Sequence, residues 1–150
     1  MLRSLAARTF STVSSGVHTK LNHPTRRAGH LMNQLHVEEV AKATERIGDK
    51  ICKFRPGDAV EVELMLNKST QKTQRVKGVV IGERNRGISS SFTIRNHIAE
   101  CGYEQTIYKH SPLLVSVKMI KEQFFTNGKK KARRAKLFYL RDKAPRFTTL

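Results

Sequence analysis

The chain has 150 residues, room for one domain with extensions. It carries 29 Lys and Arg against 12 Asp and Glu, a net charge of +17, and such a field selects polyanions (RNA, DNA or an anionic membrane surface) over neutral or acidic partners. Hydrophobic residues make up 38% of the chain, so the packed core should be small, and no apolar run approaches the roughly 18 residues of a spanning helix.

From Met1 to Val37 there is no acid. The opening MLRSLAARTFSTVSSG sets Arg3 and Arg8 among Leu, Ala, Ser and Thr, and on a helix Leu2, Leu5, Ala6 and Phe10 share one side. That is the composition of a mitochondrial transit peptide, expected over residues 1–20, and Arg8-Thr9-Phe10-Ser11 resembles a matrix-protease cleavage site. A basic disordered N-terminus is the plainer alternative. Residues 21–33 read as a polar linker, and residues 21–52 as linker plus amphipathic helix. The helix is expected from about Asn33 to Ile47, with Val37, Val40, Ala41, Thr44 and Ile47 on one face. Glu38 and Glu39 would then sit in its first turn, and Gly48 would stop it.

Residues 53–126 alternate like strands. Val60, Val62, Leu64 and Leu66 oppose Glu61, Glu63 and Met65, and a polar hairpin loop follows at 67–73. QRVKGVVIGER, SSFTIRNHI, GYEQTIYKH and LLVSVKMIK supply four more strands. Five short strands with short connections and no intervening helix predict a mainly β fold, a small SH3-like or OB-like barrel. Residues 127–150 form a basic extension, expected to be disordered in isolation because its like charges repel.

Nothing in the pattern predicts catalysis. Ser111 follows His110 in sequence, which does not place its hydroxyl on the ring, and Asp58 and Glu61 face opposite sides of a strand. His97, Cys101 and His110 could meet across strands as metal ligands, yet they lack metal-finger spacing, and Cys52 and Cys101 read as reduced thiols. We expect no cofactor and no metal. Two stretches suit a phosphate backbone instead. Arg84, Asn85 and Arg86, followed by Gly87, then Ser89, Ser90 and Ser91, and then Arg95, put guanidiniums and hydroxyls at a strand end. GKKKARRAKLFYLRDKAPR holds nine cations and one acid between Lys129 and Arg146, and its bunched Leu-Phe-Tyr-Leu fits neither a solvated tail nor a membrane-surface helix. KKKARR also fits a nuclear address, which conflicts with the transit-like start.

FRPGDAVEVELML, GVVIGERNRGISSSFTIRN, HSPLLVSVK and RRAKLFYLRD, in this order from Phe54 to Arg141, resemble the bacterial-type ribosomal protein L-nineteen family. The resemblance implies an SH3-like barrel with extensions and no enzymatic activity. Its implied partners are large-subunit rRNA, small-subunit rRNA across an inter-subunit bridge, and the neighbouring ribosomal protein L-fourteen. Carried onto this chain, the candidate rRNA contacts are Arg84, Asn85, Arg86, Ser89, Arg95, His110, Ser111, Lys129, Lys130, Lys131, Arg133, Arg134, Lys136, Tyr139 and Arg141, and Lys118 is expected beside them. AECGYEQ departs from the bacterial glycine-rich turn, and the ending DKAPRFTTL is closer to mitochondrial members. A transcription or translation factor of the KOW type is the alternative, because VKGVVIGERNRG after GDAVEV has that character.

Overall fold

The computed structural model describes residues 22–99, 101–128 and 131–150. The expected transit segment, Lys129 and Lys130 lie outside the described residues. The first element is a long helix, α1 (Pro24–Ile47). Pro24 opens it at the first turn, where a missing N–H costs nothing, and the His23 ring accepts a hydrogen bond from the Thr25 N–H at 3.4 Å. Residues 24–33 are therefore helical rather than linker, and Glu38 and Glu39 lie mid-helix, not in a first turn. Arg, Ala, Leu and Met in that stretch are good helix formers, and Pro24 marks the true start. Gly48 ends the helix as expected, its N–H donating to the Thr44 carbonyl. Only Ala43 and Ile47 are buried, with Val40 half-buried, whereas Ala41 and Thr44 are exposed. The helix docks by its C-terminal end and runs outward from there.

Five antiparallel strands follow: β1 (Ala59–Asn67), β2 (Lys72–Arg84), β3 (Ser91–Ile98), β4 (Cys101–Tyr108) and β5 (Leu114–Lys121). They form one sheet in the order β4-β3-β2-β1-β5. Among the described residues no ladder joins β4 to β5, so the sheet is not closed by hydrogen bonds. It is nonetheless curled. Val60 and Val62 of β1, Val76 and Val80 of β2, Phe92 and Ile94 of β3, Ile107 of β4 and Leu114 and Val117 of β5 share a single buried cluster. The two edge strands reach the same core only if the sheet bends around it. Phe54 tops this core, its ring 4.8 Å from that of Phe92.

A second core lies on the outer face. Strand β2 is buried on both sides from Gly78 to Gly82, and alternation turns Val80 inward and Ile81 outward. The β2–β3 register shifts between Val80 and Gly82, a bulge that leaves Ile81 without a ladder partner. Its carbonyl instead accepts the Leu137 N–H at 2.7 Å, and Gly82 bridges Lys136. Leu137 and Leu140 bury themselves on Ile81, with Phe125, Tyr139 and Phe147 around them. The extension from 131 is therefore folded against the sheet. The expectation of a disordered tail fails because Leu137 and Leu140 find an apolar strip that the sequence gives no sign of on the barrel's outside.

Asp58 ties the pieces together. Its carboxylate accepts from the Arg55 N–H at 2.7 Å and from the Gln123 N–H at 2.9 Å, joining the entry to β1 with the turn after β5. Gly57 beside it has φ +105, and a Cβ there would lie 2.7 Å from the Phe125 ring, so this position admits only glycine.

Candidate nucleic-acid interface

The first cluster sits where β2 turns into β3. The turn is built by Ser90, which the sequence offers only as one of three hydroxyls for phosphate and which instead bonds the turn's own backbone. Its hydroxyl accepts the Arg86 N–H at 3.0 Å and donates to the Gly87 carbonyl at 2.7 Å. The Ser89 N–H bonds the Arg86 carbonyl, and Gly87 takes φ +53. This internal stitching pushes Arg84, Asn85, Arg86 and Ser89 outward, and all four are exposed. Neither arginine forms an ion pair with a described residue. The only sequence hint of Ser90's role was its place in a Gly-x-Ser-Ser turn, where small hydroxyl residues bond the backbone.

Arg95 is not part of that cluster. It lies on the outer face of β3 with a side chain only 11% exposed, and its Nη1 donates to Glu104 Oε1 on β4 at 2.8 Å. Its buried Nε finds no partner among the described residues. The same Glu104 carboxylate receives Arg141 through Nε at 2.8 Å and Nη2 at 2.7 Å. Hydrogen bonds from Arg141 first, then Arg95, hold Glu104 below the usual carboxylate range against the opposing effect of burial. Arg141 also stacks on Phe138, 4.7 Å from the ring centre. Two residues expected to grip phosphate thus share an internal carboxylate, and Glu104, absent from the expected set, organises them.

His110 and Ser111 form the β4–β5 corner, both half-buried. The Ser111 hydroxyl accepts the Leu113 N–H at 3.2 Å, a turn bond rather than a nucleophile's contact. Burial, and then the neighbouring Lys109 cation, pull the His110 ring below its ordinary value, so it is neutral at pH 7. Lys109 is itself paired with Glu83. Lys118 is exposed on β5, beside Glu61 of β1 in the register. His97 hydrogen-bonds Thr148 at 2.8 Å, and no three His, Cys, Asp or Glu side chains gather as a metal site among the described residues.

The extension presents the second cluster. Lys131, Arg133, Arg134 and Lys136 are exposed along the turn from 131 to 136, and the Arg134 guanidinium lies 5.6 Å from the Tyr139 ring centre. Tyr139 is half-buried, with one side against the second core. The turn is fixed at its start, where the Ala132 N–H donates to the Gln123 side-chain carbonyl at 2.7 Å. A run of like charges is thereby held in one place without relying on counter-ions.

Fold and charge together define a class: a small, strongly basic β-domain whose carboxylates serve internal ties while many of its cations stand free on turns. The family described as ribosomal protein L19 matches residues 36–150. The chain is 40% identical over 114 residues to the large ribosomal subunit protein bL19 of Orientia tsutsugamushi strain Ikeda, covering 75% of this chain and 85% of that protein. The corresponding protein of strain Boryong matches with the same identity and coverage. The chain belongs to the ribosomal protein L19 family, whose role is structural rather than enzymatic.

Proposed function

We propose that this protein is a structural constituent of the large subunit of a mitochondrial ribosome, where it binds and positions rRNA near the inter-subunit face and supports assembly and translation. The observation that carries the reading is the family match over residues 36–150. Residues 1–35, ahead of that match, contain no acid, and this composition supports the organelle. The mechanism is positional. Cations held by a rigid β-body neutralise phosphates, and the body keeps rRNA segments in register.

Arg84, Asn85, Arg86 and Ser89 on one turn, and Lys131, Arg133, Arg134 and Lys136 on the extension, are the favoured contacts because they are exposed and unpaired by acids. Lys118, Tyr139, His110 and Ser111 are further candidates, and Lys129 and Lys130 continue the basic run in sequence. Arg95 and Arg141 contribute chiefly by fixing the extension on the sheet. A neighbouring protein corresponding to L-fourteen and small-subunit rRNA across a bridge belong to the same reading. Stoichiometric co-sedimentation of the native chain with large subunits from an organelle lysate at moderate salt tests it. Loss from the particles at that salt, as for a visiting KOW-type factor, or recovery only outside the organelle fraction, would sink it.

A further inference from the structure

The turn at 131–134 separates two hollows of different chemistry. One, of about 490 Å³, includes the carboxylates of Asp58 and Glu122 and no aromatic ring. The other, of about 960 Å³, is floored by Phe125 and Tyr139 and rimmed by Lys131, Arg133, Arg134 and Lys143, with no acid among its lining residues. Phe125 and Tyr139 are braced from behind by Ile81, Leu137 and Leu140, so their open sides are held rigid. The Tyr139 hydroxyl has no hydrogen-bond partner among the described residues. A rigid aromatic floor with a cationic rim matches a ligand that is flat, apolar on its faces and flanked by negative charge. Paired helix alone would use the rim and leave the floor empty; a free anion would do the same.

We propose that this second hollow takes a single unstacked nucleobase of RNA. The base stacks on Tyr139 against Phe125, and its flanking phosphates lie on the four rim cations. The inference rests on the rRNA-binding reading and adds a site to it. It makes the extension a reader of local RNA shape, preferring a bulged nucleotide over a continuous duplex, besides being a source of charge.

The experiment measures binding of the full chain to two RNA hairpins by fluorescence anisotropy at about 0.15 M salt. The hairpins have equal stem length, and one carries a single bulged nucleotide. The expected result is about tenfold tighter binding of the bulged hairpin, from one stacked base. Tyr139→Leu should bring the ratio of the two affinities close to one, while Tyr139→Phe should retain it. Placing 5-iodouridine at the bulge and irradiating the wild-type complex keeps the test independent of any folding defect, with the crosslink expected on Tyr139 or Phe125. Equal wild-type affinity for the two hairpins, or a crosslink mapping elsewhere, overturns the nucleobase site while leaving RNA binding intact. Binding to neither hairpin overturns the rRNA reading as well.

Discussion

Arg141 reaches across 37 residues of sequence to close two of its guanidinium nitrogens, Nε and Nη2, on the carboxylate of Glu104, at 2.8 and 2.7 Å. Arg95 meets the same carboxylate from the next strand at 2.8 Å. The C-terminal extension is thus fastened to the free edge of the sheet by charge, while Leu137 and Leu140 fasten it to the middle by apolar contact.

Glu104→Ala should loosen the extension and leave Arg95 poorly compensated on β3. The expected loss is roughly 1 kcal/mol, after discounting for solvent around the pair. Amide exchange should quicken over 137–150 and not in β1. Because the Glu104 carboxyl is lowered in the folded chain, its contribution is fully present above the unfolded carboxylate value of about 4.3 and is lost as pH falls through the lower folded value. Unchanged protection of 137–150 in the variant would show that charge plays no part in the fastening.

Leu137→Ala removes the side chain that seals the second core, fully buried against Ile81. A loss of about 2–4 kcal/mol is expected in urea unfolding. If instead the barrel keeps its midpoint and only the extension melts, the two cores are separable units.

Asp58→Ala deletes the acceptor for the Arg55 and Gln123 N–H groups. It should cost about 2 kcal/mol, since two part-buried backbone donors lose their partner. A stability change within a few tenths of wild type would mean that the loops at 55 and 123 find other partners.

His110 prefers its neutral form in the folded chain, because burial and Lys109 oppose the proton. The unfolded chain therefore binds more protons, and stability falls as pH drops through the ordinary histidine range, from about 7 toward 5. His110→Gln should flatten that slope. An identical slope in the variant would assign the pH dependence to another group.

Arg84→Ala combined with Arg86→Ala should leave the fold intact, since both side chains are exposed on a turn that Ser90 holds. The plot of log affinity for rRNA against log salt should become shallower by about two. An unaltered slope would remove this turn from the contact surface.

Much of the fold was legible because β1 and β3 alternate, with Val60 and Val62, and Phe92 and Ile94, announcing a buried face by period two, whereas β2 reads as a continuous apolar run. The start of α1 was not, since residues 24–33 mix polar and apolar types and bury nothing, so helical periodicity has no packed face to reveal it. Ile81 was readable as buried but not as buried on the far side, because that depends on where Leu137 returns. The 84–89 turn was read from its arginines, yet its architect is Ser90. Arg95 and Arg141 looked like phosphate ligands because their shared partner, Glu104, is distant in sequence from Arg141, and only the β3–β4 pairing with the folded extension brings the three together.

Helix α1 is about 36 Å long, and its only buried residues, Ala43 and Ile47, lie in its last two turns. A helix of this length gains little from its own hydrogen bonds in water, so its cohesion is graded from the docked root to the outer tip. The outer turns should fray in dilute solution and stiffen when a large assembly surrounds them. The protein therefore carries its own gauge of incorporation: amide protection at 24–35 would report whether a given copy is free or built in.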